Sequence, residues 1–258
     1  MALRKKKGRD EILGIVQYHR GVRGEGLQYE RDLIVWLPPS YERKKRKRYP
    51  VLYLHDGQNM FDPRTSFLGY DWQADETVDA LIRKGRIKEI IMVGLSNTPD
   101  RLSEYSATEL GRSYARFIVS LVKPFIDTMY RTKPDRRNTA VMGSSMGGLI
   151  SLLMVWWYPQ VFSQAGCIST ALARDEDRQL FEEIESSSGG KKRLRIYLDV
   201  GGLERALIPG YRTMAALLRK KGYRRGKDLE YFFDRRGAHN ERAWANRLWR
   251  PLTFMFGK

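Results

Sequence analysis

The sequence predicts an α/β protein: a mostly parallel, doubly wound sheet, opened by an antiparallel amino-terminal hairpin, with helices on both faces and no large lid. Three observations predict it. Short apolar runs alternate with longer segments of helical character, the pattern of βα repeats. Runs such as 51–54, 89–95 and 164–168 are apolar almost throughout, as strands covered on both faces require. The chain has 258 residues, 42% hydrophobic and 30% charged, enough to bury one continuous core.

The elements follow in order. Residues 11–18 and 27–37 read as the first two strands, and 51–54 as the third. Pro50 stands at the entry of that third strand, where a missing N–H is tolerated. Residues 75–84 form a helix and 89–95 a buried strand. A long helix spans 112–130, kinked by Pro124. Residues 139–142 form a strand that turns sharply into the apolar helix 149–157. The lone cysteine, Cys167, sits in the strand 164–168 as a small buried residue, and 186–190 is a flexible loop. A strand at 194–198, a helix at 211–221 between Gly210 and Gly222, a last strand at 229–233 and an amphipathic helix at 242–256 complete the chain. The expected organisation is a basic tail, 1–9, followed by one domain, 10–258, without internal repeats.

The most informative motif is Gly143-Ser144-Ser145-Met146-Gly147, set between a strand and a helix. This is the pattern of a nucleophile elbow, in which a strained turn presents Ser145 at the carboxyl end of the sheet and flanking glycines relieve crowding. Gly148 then lets the helix pack closely against the sheet. Where a nucleophile elbow is used, the triad follows in chain order Ser, acid, His. Of His19, His55 and His239, only His239 lies after Ser145, on a small-residue loop beyond the last strand. Two acids follow the strand 194–198: Asp199, still close to the strand, and Glu204, beyond two glycines on the loop above it. Either could orient and stabilise the imidazole. An oxyanion hole needs two backbone amides. Met146 supplies one by position, and Gln58, in the loop His55-Asp56-Gly57-Gln58-Asn59, is the choice for the other. Trp72 and Trp244 are candidates to wall a substrate cleft or to pack in the core. Arg101 and Glu104 are expected to pair with each other and brace a loop near the site, with substrate binding as the alternative.

The stretches 53–62, 143–148 and 237–241, with the strand 33–41 and the segment 101–105, resemble the esterase D family of α/β-hydrolases. The likeness runs over about residues 10–256. That family includes feruloyl and acetyl-xylan esterases, S-formylglutathione hydrolases, enterobactin-type siderophore esterases and mycolyltransferases. The resemblance implies the α/β-hydrolase fold and a catalytic set of Ser145, Glu204 and His239, since the family's acid lies three residues beyond the glycine matched by Gly201. It also implies Gln58 and Met146 as oxyanion donors. Gly202 departs from the family, which often has Thr there. The expected activity is that of a serine carboxylic-ester hydrolase working through an acyl-enzyme on acylated carbohydrate, phenolic or similarly bulky esters. An acyltransferase using the same triad is the alternative, and a non-catalytic basic binding protein a lesser one.

Composition narrows the remaining possibilities. One cysteine excludes an internal disulfide and a cysteine-based metal site, and neither a metal nor an organic cofactor is implied. No apolar run reaches membrane-spanning length. The amino terminus is basic without an apolar segment behind it, so no secretory signal is expected and the expected location is cytoplasmic, although a longer secreted precursor is compatible with it. The net charge is +17, from clusters at 4–7, 43–48, 191–195, 219–227 and 235–236. Such charge favours loose contact with nucleic acid, anionic lipid or acidic polysaccharide, but the clusters fall in loops and helix ends without a nucleic-acid motif and read as solvated faces, with concentration of anionic substrates as a further alternative.

Overall fold

The computed structural model describes residues 12–172, 178–188 and 190–258. The basic tail 1–9 and Gly189 of the loop 186–190 lie outside the described residues. Eight strands form one sheet in the order β1-β2-β4-β3-β5-β6-β7-β8. Strands β1 (Ile15–Val22) and β2 (Arg31–Leu37) pair antiparallel, and β2 pairs antiparallel with β4 (Ile91–Leu95). Strands β3 (Val51–His55), β4, β5 (Thr139–Ser144), β6 (Gln164–Ile168), β7 (Arg195–Gly201) and β8 (Leu229–Asp234) run parallel. This is the expected α/β-hydrolase architecture with its amino-terminal hairpin.

The period-two alternation of a strand divides the buried side chains between two cores. On one face Val51, Tyr53, Val93, Val141, Cys167 and Leu198 meet α3 (Glu109–Phe117), α5 (Met146–Trp157), α6 (Arg178–Ser186) and α7 (Ile208–Lys220). On the other, Leu52, Leu54, Met92, Met142 and Tyr197 meet α1 (Ala74–Arg83), α8 (Glu241–Arg247) and α9 (Trp249–Phe256). The one-turn helix α2 (Arg101–Glu104) lies between β4 and α3. No helix among the described residues is long and apolar enough to cross a membrane.

Four local expectations change. The strand expected at 11–18 is displaced to 15–22, after the left-handed Gly14. The helix expected at 112–130 starts at Glu109, capped by the Thr108 hydroxyl, which accepts from the Gly111 N–H at 3.1 Å. It does not simply kink at Pro124. A π turn at Ile118–Val122, closed by Lys123 N–H on the Ile118 carbonyl, absorbs the donor that Pro124 lacks before α4 (Lys123–Met129) resumes. The terminal helix is broken at Leu248, because Pro251 cannot donate to the carbonyl of Arg247.

Candidate active site

The elbow is strained as its motif requires. Ser145 has φ 56° and ψ −122°, a region that costs a non-glycine residue on the order of 1–3 kcal/mol. The surroundings hold it there: its N–H donates to the Ile168 carbonyl at 2.9 Å and its own carbonyl accepts from the Ala171 N–H at 3.1 Å. A Cβ on Gly143 would lie 2.7 Å from the Gly147 carbonyl carbon, and one on Gly148 would lie 2.8 Å from Thr170 Oγ1. Strand and helix can therefore close on each other only as glycines.

His239 lies on the loop after β8, and its ring bridges two groups. Nε2 is 3.0 Å from Ser145 Oγ and Nδ1 is 2.8 Å from Glu204 Oε1. Asp199, the other candidate acid, does not reach the imidazole. It is buried within β7, 3.0 Å from Arg247 Nε, and accepts from Ser169 N–H at 3.0 Å and Tyr197 Oη at 3.1 Å. Glu204 is equally buried on the β7–α7 loop, where its Oε2 accepts from the Ser169 hydroxyl at 2.8 Å and from the Gly201 N–H. Burial alone would raise its carboxyl. The hydrogen bonds from His239, Ser169 and Gly201, with the charge of Arg247, outweigh burial and hold it below the usual range.

The donors around Ser169 fix the direction of its hydroxyl. Trp244 Nε1 approaches its Oγ at 3.0 Å and Arg247 Nη2 also donates to it. Both of these can only donate, so the single hydroxyl proton goes to Glu204. Ser169 itself is left-handed, with φ 43°, directly after β6.

A second network holds the loop after β3. Asp56, left-handed at φ 57°, receives Arg101 Nε at 2.6 Å, Arg101 Nη2 at 2.7 Å and Asn97 Nδ2 at 2.7 Å. The next residues form a short 3₁₀ turn, Gly57–Asn59. A Cβ on Gly57 would lie 2.4 Å from the Gly94 carbonyl carbon, so the turn sits directly on β4. Gln58 Oε1 accepts from the Asn97 N–H at 3.1 Å, which leaves the Gln58 main chain at the carboxyl edge of the sheet, the edge that also carries Met146 at the start of α5. The expected Arg101–Glu104 pair does not form. In its single turn α2 sends Arg101 to Asp56 and Glu104 inward to Arg31, in a bidentate pair at 2.9 and 2.6 Å with both side chains fully buried.

A family model described as "Putative esterase" matches residues 24–255. The chain belongs to this esterase family. It is a carboxylic ester hydrolase. The esterase is 32% identical over 143 residues to the endo-1,4-beta-xylanase/feruloyl esterase of Xylanibacter ruminicola, a match covering 52% of this chain and 19% of that protein. In fold it is similar to a ferulic acid esterase, with a TM-score of 0.76 at 21% identity over 95% of this chain and 99% of the other. It is also similar to the enterobactin esterase FES of Shigella flexneri, with a TM-score of 0.77 at 17% identity over 95% and 60%.

The structure places the two tryptophans beneath the site of the esterase. Trp72 and Trp244 are buried with ring centroids 5.7 Å apart, and Trp244 meets the edge of His239 at 5.0 Å. Exposed apolar side chains at this pole include Phe67 at 82%, Leu68 and Tyr70 on the loop after β3, Leu102 on α2, and Leu203 beside Glu204. Arg242 lies 4.3 Å over the Tyr70 ring. Sequence reasoning also missed Ser169 and Arg247. Their signals were a polar residue just past a strand neighbouring β7, and an arginine two turns beyond the histidine, at the end of α8.

Proposed function

We propose that the esterase is a serine hydrolase working through an acyl-enzyme, with Ser145 as nucleophile, His239 as general base and acid, and Glu204 as the acid that orients the imidazole. The observation that carries the reading is the unbroken chain of contacts from Ser145 Oγ through His239 to Glu204, at 3.0 and 2.8 Å. His239 Nε2 takes the hydroxyl proton as Oγ attacks the ester carbonyl, while Nδ1–H donates to Glu204. The backbone N–H groups of Met146 and Gln58 receive the oxyanion. The imidazolium then protonates the leaving alcohol, and water repeats the sequence to release the acid. Residues 10–258 act together as one esterase domain in this reading.

The rim favours one substrate class. Phe67, Leu68, Tyr70 and Leu203 offer an open apolar surface with an arginine at its edge, which suits phenolic acyl groups or bulky acylated carbohydrates. The feruloyl esterase relatives point the same way. Pre-steady-state hydrolysis of a p-nitrophenyl ester tests the mechanism: a burst of one nitrophenol per chain is expected, and its absence at saturating substrate with rapid turnover would reject an accumulating acyl-enzyme. Feruloyl esters should exceed acetyl esters in kcat/KM, and added alcohol or sugar acceptors show whether acyl transfer competes with hydrolysis.

A further inference from the structure

The fold gathers at one edge three of the basic clusters that chain order scatters, 43–48, 191–195 and 219–227, whereas Arg235 and Arg236 follow β8 at the opposite edge. All six parallel strands are entered from the edge of the sheet opposite Ser145 and His239. The ten residues leading into each of β3, β4, β5, β6, β7 and β8 together hold 23 of the 47 Lys and Arg, but only 5 of the 30 Asp and Glu. That excess matches the whole +17, so the rest of the molecule is close to neutral. Lys44, Arg46, Lys84, Arg137, Arg224 and Lys227 are exposed there without a carboxylate at ion-pair distance among the described residues. The crowding is felt locally: burial, then the neighbouring charges of Arg137 and Arg193, lower the pKa of Arg136.

We propose that this edge docks the protein on a flat anionic lipid surface. The entering segments are tied to one another by the backbone, Tyr49 N–H to Arg131 O at 2.8 Å, Arg195 N–H to Ser163 O at 2.8 Å and Ile196 N–H to Asp228 O at 2.9 Å. They form a pinned edge rather than free arms. Six strands at about 4.8 Å spacing make it roughly 24 Å long. It also has depth, because the last turns of α1, with Arg83, and of α7, with Lys220, flank the sheet on opposite faces. A charged area of two dimensions fits a plane of headgroups. Duplex nucleic acid would be read by an element entering a groove, and single strands by exposed aromatic platforms. The only large exposed apolar side chain described in these segments is Met129. Adsorption is therefore electrostatic, and the Ser145 pole is left facing away from the surface.

The test is cosedimentation of the full chain with vesicles of phosphatidylcholine with or without about 30% phosphatidylserine. Binding to the anionic vesicles should be at least tenfold tighter and should fall more than tenfold between about 50 and about 300 mM salt. The variant K44Q/R46Q/K84Q/R224Q should lose about tenfold in binding, whereas R20Q/R23Q/R116Q/R212Q, of equal net charge, should stay within about twofold of the parent. Unchanged thermal melts verify that both variants fold. Equal binding to neutral vesicles, no binding at the lower salt, equal losses in both variants, or tighter binding to a DNA duplex at the same salt would each overturn the proposal.

Discussion

At the scale of single residues, the three groups of the proposed triad share the work unequally. In the proposed mechanism Ser145 and His239 exchange the proton, whereas Glu204 orients and stabilises. Ser145→Ala should lower kcat/KM by at least about 10⁴-fold, and Glu204→Gln should lose roughly two decades less, as seen when an orienting acid rather than a nucleophile is removed. Steady-state kinetics on one soluble ester checks both. Ser169 acts through Glu204. Ser169→Ala deletes a hydrogen bond to the ionised carboxylate, so the Glu204 pKa rises from its depressed position. Titration of the Glu204 carboxyl followed by its carboxyl carbon NMR shift should then have a midpoint at higher pH than in the parent, while an unmoved midpoint would show that Ser169 does not act through Glu204. The meeting of Ser145 and His239 was legible because an elbow has a local pattern and only one histidine follows it. The choice between Asp199 and Glu204 was not local. It depends on Arg247, 48 residues from Asp199, turning one carboxylate inward while the loop carries the other to the imidazole.

At the scale of elements, the loop after β3 is the part whose position matters; its own hydrogen bonds shape it, and partners beyond it hold its first residue. Asp56 holds a left-handed conformation because Arg101 and Asn97 grip its carboxylate. Arg101→Met should release the loop and move the Gln58 N–H. The expected result is a kcat loss of about 10- to 10³-fold with a smaller change in KM, since one oxyanion donor is worth up to about 10³-fold. Strands and most helices were readable from apolar runs and glycine boundaries. The π turn before Pro124 and the break at Leu248 depend on where a proline withdraws one donor, and only their neighbourhoods were visible. Arg101 and Glu104 suggested a local pair by spacing, but tertiary partners on the loop after β3 and on β2 took each of them.

At the scale of the whole molecule, the sheet separates the proposed chemistry from the excess of charge: strand ends carry Ser145 and His239, and the segments entering the strands carry 23 of the 47 Lys and Arg but only 5 of the 30 Asp and Glu. That segregation was invisible along the chain because ten-residue segments far apart in order become neighbours only once the strands are parallel. Buried acid also sets the response to pH. Asp75 accepts from the Leu13 N–H at 2.6 Å in a buried pocket, where burial and then Glu76 push its carboxyl from 3.8 up to about 8. A carboxyl raised on folding stabilises in its protonated form. That contribution is present at low pH and is lost as pH rises from about 4 through about 8. Thermal melts of Asp75→Asn, compared with the parent from pH 5 to pH 9, should show a flatter dependence and a relative gain at the alkaline end. The central claim, that Ser145 is the nucleophile activated through His239, is tested most directly by treating the protein with a fluorophosphonate and mapping the adduct by mass spectrometry. The account predicts one adduct per chain, on Ser145, formed slowly or not at all in His239→Ala; stoichiometric labelling elsewhere, or an unlabelled but fully active enzyme, would contradict it.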